Sequence, residues 1–288
     1  MLCLWYNCRV KPILSLKSAT LVSLSLVILL SPSTTLAARN SNHGGGSGSG
    51  STVVVTGNDV SWPQCDKPLP KGQLFGIVGV NDGLANTTNP CFSTELAWAE
   101  TSVGSTGQGK AALYVNTANP GNLGVADWPT SNTDPLTGAV DTDPYGPCTG
   151  ADNQACAYQY GHNMAELDAQ TRIGSNNPAS FKWWLDVETN NSWETTTANN
   201  TADLEGMTAY LESLGGSVGL YSTATQRNQI AGTVSSTSNL YGLDSWLPGS
   251  SNLSSAKTAC TLPALTGGKT TVTQYVAKRV DYDYSCIN

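Results

Sequence analysis

Histidine is almost missing from this chain: two are present in 288 residues, and one, His43, lies among Gly, Ser and Asn. No Cys-x-x-Cys pair occurs either, so a zinc site lacks its usual ligands. Neither a phosphate-binding loop nor a dinucleotide fingerprint is found. Basic residues are scarce, 14 Lys and Arg against 21 Asp and Glu, for a net charge of −7. Such a chain repels phosphate backbones and anionic membrane surfaces, which excludes nucleic acid as a natural partner. Long apolar runs are also lacking. The longest, Ala19 to Leu30, is well short of the roughly 20 residues a membrane-spanning helix needs.

That run instead completes an export signal. Arg9, Lys11 and Lys17 precede it, and Thr35-Leu36-Ala37 follows as a small-residue cleavage site, so residues 1–37 read as a signal peptide. An uncleaved anchor is the alternative. Loss of the leader takes the 14 basic residues to 11 against 21 acids, a net of −10. Residues 38–52 have the composition of a flexible linker. Residues 53–288 then form one barrel-sized domain. The expected product is an extracellular, soluble monomer with no stable membrane insertion.

Of the eight cysteines, Cys3 and Cys8 fall in the leader and six remain. An even set in an exported chain is a disulfide framework, for which 15 pairings exist. Pairing neighbours along the chain, so that each bond closes a local loop, joins Cys65 to Cys91, Cys148 to Cys156 and Cys260 to Cys286.

Short β-rich runs alternate with helical stretches in the order of a parallel α/β protein. Strands are expected at Val53–Ser61, Leu74–Val80, Ala111–Thr117, Phe181–Glu188, Ser217–Ser222, Ser245–Pro248, Thr271–Val276 and Val280–Tyr284. Helices are expected around Thr94–Val103, Ala157–Ile173, Ala198–Leu214 and Ala224–Ile230. In Thr201–Leu214 the residues Leu204, Met207, Leu211 and Leu214 recur at helical spacing before Gly215-Gly216 ends the run. A TIM-type α/β barrel of eight strands, helix-covered early and plainer late, accounts for the order. The aperiodic stretch Ala118–Cys156 follows the third strand, on the side where catalytic loops of such barrels lie.

The most informative run is Lys182-Trp183-Trp184-Leu185-Asp186-Val187-Glu188. Side chains alternate along a strand, so Asp186 and Glu188 share one face while Leu185 and Val187 share the other. Adjacent carboxylates repel and lose hydration, which raises one pKa and suits acid/base work on a glycosidic bond. The structural alternative is an Asp that caps the next turn and a Glu paired with a buried Arg. Further polar residues end other strands: Asp59, Asn81 with Asp82, Asn116 with Asn119, Gln274 with Tyr275, and Asp281 with Asp283. In a parallel barrel these ends converge. Taken alone each has a plain reading, Asp283 as a surface acid among them. Trp62, Trp128 and Trp193 adjoin the acids as candidate sugar platforms, while Trp98 and one of Trp183 and Trp184 fit helix–sheet packing. Gly215-Gly216-Ser217-Val218-Gly219 matches a serine-nucleophile pattern but enters a strand from a helix, the reverse of the required context. His162 sits in an expected helix without a nucleophile beside it, a structural position.

Asp59-Val60-Ser61, Leu185-Asp186-Val187-Glu188, Leu220-Tyr221-Ser222-Thr223, Gln274-Tyr275 and Val280-Asp281 resemble, in this order, glycoside hydrolase family 25, the N-acetylmuramidase-type lysozymes. The resemblance spans nearly the whole domain, and its Asp-x-Glu is the specific part. It implies five strand-helix units followed by three strands, with Glu188 as general acid, Asp186 as partner carboxylate, and Asp59 and Asp281 as further acids of the cleft. Asp283 falls where the family more often has Asn. Val80-Asn81-Asp82-Gly83 and Tyr114-Val115-Asn116 depart from the family's second and third strand ends, so different sugar subsites are implied, as in a diverged actinobacterial relative. The expected substrate is a cell-wall or amino-sugar polysaccharide, contacted by Trp62, Asn81, Asn116, Trp193, Tyr221, Gln274 and Tyr275, with no metal and no organic cofactor. Glu188 is expected to hold a proton and Asp186 to be ionised. The alternative function is a non-catalytic carbohydrate-binding or cell-surface protein on the same barrel.

Overall fold

The computed structural model describes residues 55–287. The expected signal peptide, the linker and the first two residues of the expected domain lie outside the described residues. Eight strands make one sheet in chain order: β1 (Asn58–Val60), β2 (Gly76–Gly79), β3 (Ala111–Asn116), β4 (Lys182–Asp186), β5 (Ser217–Tyr221), β6 (Asp244–Ser250), β7 (Thr270–Ala277) and β8 (Val280–Ser285). Strands β1 to β7 are parallel. β8 returns antiparallel to β7 through Lys278 and Arg279, both at positive φ, the backbone of a two-residue primed hairpin turn. Gly57 and Asp283 exchange backbone hydrogen bonds of 2.7 and 2.9 Å. That pair joins β8 to β1 and closes the barrel.

Five helices cover it: α1 (Phe92–Glu100), α2 (Gln154–Leu167), α3 (Thr197–Ser213), α4 (Ala224–Ala231) and α5 (Leu253–Ala259). The TIM-type architecture and the four helices are as expected, and a fifth helix, α5, is added; the implied five strand-helix units are offset by one strand. The helices follow β2 to β6, while β1 is followed by a 3₁₀ turn, Trp62–Gln64. α5 is a helix the apolar pattern does not reveal, because Ala256 is its only buried residue; its signal is the Asn252–Ser255 capping box. Past Leu167, α2 runs into a π-helical turn, Asp168–Arg172, where Arg172 pairs with the buried Asp168 at 2.6 Å.

Strand alternation divides the core in two. Val78, Leu113, Val115, Trp183, Leu185, Val187, Val218 and Leu220 face outward into a layer shared with Leu96, Met164, Leu204 and Leu211 of the helices. Phe75, Ile77, Ala112, Trp184, Trp246 and Val272 form a smaller inward cluster. Trp184 fits inside because β5 opposes it with Gly219, where any Cβ would collide with the indole. All three expected disulfides are present, Cys65–Cys91, Cys148–Cys156 and Cys260–Cys286. Each ties a loop or helix end that the barrel hydrogen bonds leave free. Among the described residues no helix is long and apolar enough to cross a membrane.

Candidate active site

The inward rows of β1, β4, β7 and β8 reach one end of the barrel together, and there they open on a cleft of about 280 Å³. Its lining is Asp59, Tyr114, Asp186, Glu188, Tyr221, Trp246, Gln274, Val276 and Asp281. All four expected acids therefore meet. β8 contributes through its N-terminal half, since an antiparallel strand begins where its parallel neighbours end. Asp186 and Glu188 share the inner face while Leu185 and Val187 are fully buried on the outer one, so one strand end presents two acids and hides two hydrophobes. Asp186 makes no capping hydrogen bond and its Oδ1 meets no donor, and among the described residues no ion pair joins Glu188 to an arginine.

Beyond the last ladder bond, the carbonyls of this strand end are held by side chains. Thr117 Oγ1 donates to the Asp186 carbonyl at 2.6 Å, Ser222 Oγ to the Val187 carbonyl at 2.6 Å, and Trp193 Nε1 to the Glu188 carbonyl at 2.8 Å. Three consecutive acceptors are thus met by three loops, the Glu188 carbonyl also accepting the Asn191 backbone N–H at 3.2 Å. The acid-bearing backbone is thereby fixed relative to β3, β5 and the β4–α3 connection.

A second chain of hydrogen bonds crosses the floor. Tyr221 OH donates to Gln274 Oε1 at 3.0 Å, and Gln274 Nε2 donates to Asp59 Oδ2 at 2.8 Å. Asp283, a surface acid only in its plain reading taken alone, is fully buried beside the other strand-end acids, accepting the Trp246 Nε1 hydrogen at 3.0 Å. It follows the inward parity of Asp281, which a reading of single residues does not register.

Desolvation dominates the electrostatics. Burial, with the charges of Glu188 and then Asp59, pushes Asp186 well above the usual carboxylate range. Burial and the Asp281 charge push Asp59 up to about 7 despite the Gln274 hydrogen bond, and burial raises Asp281 as well. Burial thus favours the neutral form of Asp186, whereas the expectation has it ionised. Asp186 lies under the rim and has no donor to stabilise its charge.

Tyr221 and Gln274 line the cleft as expected, and Tyr114 and Trp246 join them although their motifs do not single them out. The other expected sugar contacts lie elsewhere. Asn81 is buried, donating to Ala85 O, Thr87 O and Asp168 Oδ1 at 3.1, 3.2 and 3.0 Å and accepting from Asn116 N at 2.8 Å; it holds the β2–α1 loop. Asn116 pairs in register with Asp186 at the end of β3 without lining the cleft. Trp193 spends its indole hydrogen on Glu188, and Tyr275 stacks on Tyr282 at 5.2 Å on the opposite side of β7 from Gln274. Trp62 is 44% exposed and packs beside Gly83. Trp128 is buried against Tyr160. His162 packs edge-on to Tyr210 at 4.8 Å, in the structural role expected of it. Cys65, Cys91 and Glu95 cluster, but the two sulfurs are already joined.

No family model matches the sequence, and no curated relative matches it. Among solved structures the chain is similar to a muramidase from Trichobolus zukalii, with 16% identity over 81% of this chain and 93% of that one at a TM-score of 0.49. A bacterial lysozyme from Streptomyces coelicolor is similar at 16% identity with the same coverage and a TM-score of 0.48. A family GH25 lysozyme from Aspergillus fumigatus is similar at 14% identity, over 80% and 93% of the two chains, with a TM-score of 0.49.

Proposed function

We propose that this chain is a secreted glycoside hydrolase that cleaves a cell-wall or amino-sugar polysaccharide by carboxylate acid/base catalysis. The observation that carries this reading is the convergence of Asp59, Asp186, Glu188 and Asp281 in one open cleft with Tyr114, Tyr221 and Trp246. Acids drawn from three distant parts of the chain share a solvent-open site, and aromatic faces beside them suit a sugar ring. The family resemblance of the sequence supports the assignment of roles.

Glu188 lies past the end of β4 and is less buried than Asp186, which supports reading it as the acid that reaches a glycosidic oxygen. An acetamido N–H donated to the free Oδ1 of Asp186 favours its carboxylate, which leaves the proton of the pair to Glu188. Glu188 then protonates the leaving oxygen while the Asp186 carboxylate orients the acetamido group or stabilises positive charge at the sugar. Tyr221 and Gln274 hold Asp59 beneath.

The test is reducing-sugar release from purified wall polysaccharide by wild type and Glu188→Gln. Turnover is expected to drop by at least a hundredfold, with saccharide binding retained. Hydrolysis by the variant at the wild-type rate rejects Glu188 as the acid. Binding without hydrolysis in both proteins makes this barrel a carbohydrate-binding module.

A further inference from the structure

Asp283 is a fifth carboxyl beneath the cleft, and its surroundings set it apart. Its Oδ1 accepts the Trp246 indole hydrogen at 3.0 Å, its Oδ2 has no donor, and its side chain meets that of Asp59. Asp59 in turn accepts from Gln274 at 2.8 Å. Two ionised carboxylates have only acceptors to offer each other. A buried contact between them is therefore repulsive unless one retains a proton, and with it the orphaned Oδ2 of Asp283 becomes a donor.

The groups facing this pair are Tyr114 of β3, Asp186 and Glu188 of β4, Tyr221 of β5, Trp246 of β6, Gln274 of β7 and Asp281 of β8. None is a cation. Trp246 and Gln274 already donate to the pair, each at a different acid, so the link between the two acids is the place left for the proton.

We infer that Asp283 is a carboxylic acid that keeps its proton and donates it to Asp59, a positioning residue that orients Asp59 at the floor of the cleft. Burial and the neighbouring Asp59 and Asp281 charges push Asp283 well up, in the direction this geometry requires. Loss of the proton as pH rises replaces a hydrogen bond by two adjacent buried charges. Asp283 is thus a built-in alkaline limit on the site. The kinetic consequence rests on the hydrolase reading, whereas the proton itself does not.

Asp283→Asn keeps an acceptor for Trp246 and a permanent donor for Asp59, and it removes the titration. Asp283→Leu removes both. Melting temperature is read from pH 4 to 9 for all three proteins, together with the infrared carbonyl band of a protonated carboxylic acid at pH 7. The expected result is a wild-type melting temperature that falls on the alkaline side, a flatter curve for Asp283→Asn that crosses above wild type past neutrality, and loss of one component of the infrared band, read as a wild-type-minus-variant difference, since other buried carboxyls of the fold contribute to the band as well. An Asp283→Asn curve parallel to wild type with the band unchanged overturns the inference. In turnover, the ratio of activity at pH 8 to that at pH 5 should rise severalfold in Asp283→Asn, and an unchanged or lower ratio counts against the positioning role. Should wild type cleave no wall saccharide, the hydrolase reading fails while melting and infrared data still decide where the proton lies.

Discussion

Trp193 acts on the backbone of a cleft residue. Its indole N–H holds the Glu188 carbonyl at 2.8 Å, and its ring packs against the outer core. Trp193→Phe keeps the packing and removes the donor, a loss of about 1 kcal/mol for one hydrogen bond. The expected outcome is a severalfold fall in kcat with little change in KM, measured on the same polysaccharide, and an unchanged circular-dichroism spectrum. A kcat equal to wild type means that the loop holds Glu188 without this bond. At this scale the sequence was partly legible. Asp186 and Glu188 were readable because strand parity depends on spacing alone. The role of Trp193 was not, because a tryptophan beside an acid looks the same whether its face meets a sugar or its N–H meets a backbone carbonyl. Asn81 misleads similarly, since a strand-end amide whose side chain turns back to the loop is identical in sequence to one that turns to the cleft.

Among the elements, the pair α2 and α3 depends on two glycines where the helices cross. A Cβ at Gly161 would collide with the Asp203 carbonyl oxygen, and one at Gly206 with the Tyr158 carbonyl oxygen. Both obstacles are helix backbone and cannot rotate away, so the helices must separate. Gly206→Ala is expected to destabilise the domain by about 3 kcal/mol, the upper range for overpacking, despite alanine's better helix propensity. Chemical denaturation measures this directly. A variant as stable as wild type shows that the crossing has slack. Strand order and the larger helices follow from periodic apolar residues, and the three disulfide pairs follow from chain proximity. α5 escaped because a helix that buries only Ala256 has no apolar stripe to read. The closure of β8 on β1 depends on pairing Gly57 with Asp283, a contact between the two ends of the domain that no local pattern encodes.

Over the whole molecule, proton binding links the site to stability. Burial raises Asp168 to about 6, Asp59 to about 7 and Glu166 to about 8, and it moves Asp186, Asp203 and Asp283 well upward. A carboxyl whose folded pKa exceeds its unfolded value binds more protons when folded. Its stabilising effect is complete below the unfolded value, near 4, and is lost as pH rises through the folded one. Two groups act oppositely: Asp134 is lowered by hydrogen bonds from the Leu136 and Thr137 backbone that outweigh its desolvation, and burial lowers His162. Asp134 withdraws stability only as pH falls below about 4, and His162 favours the fold as pH rises toward its ordinary value of 6.5, above which its effect is complete. One imidazole does not offset three carboxyls titrating between 6 and 8 with three more above the usual range. Net charge works in the same direction, since the excess of 21 acids over 14 bases repels itself most when all are ionised. The disulfides, worth about 3 to 4 kcal/mol for each loop of 26 residues, are independent of pH over this range and leave the slope to the carboxyls. Calorimetry on the oxidised protein should therefore give its highest melting temperature near pH 4 to 5 and a steady decline to pH 8. A melting temperature that climbs across that interval would mean the buried acids are ionised in the fold, with cations or water reaching them through the packed barrel wall.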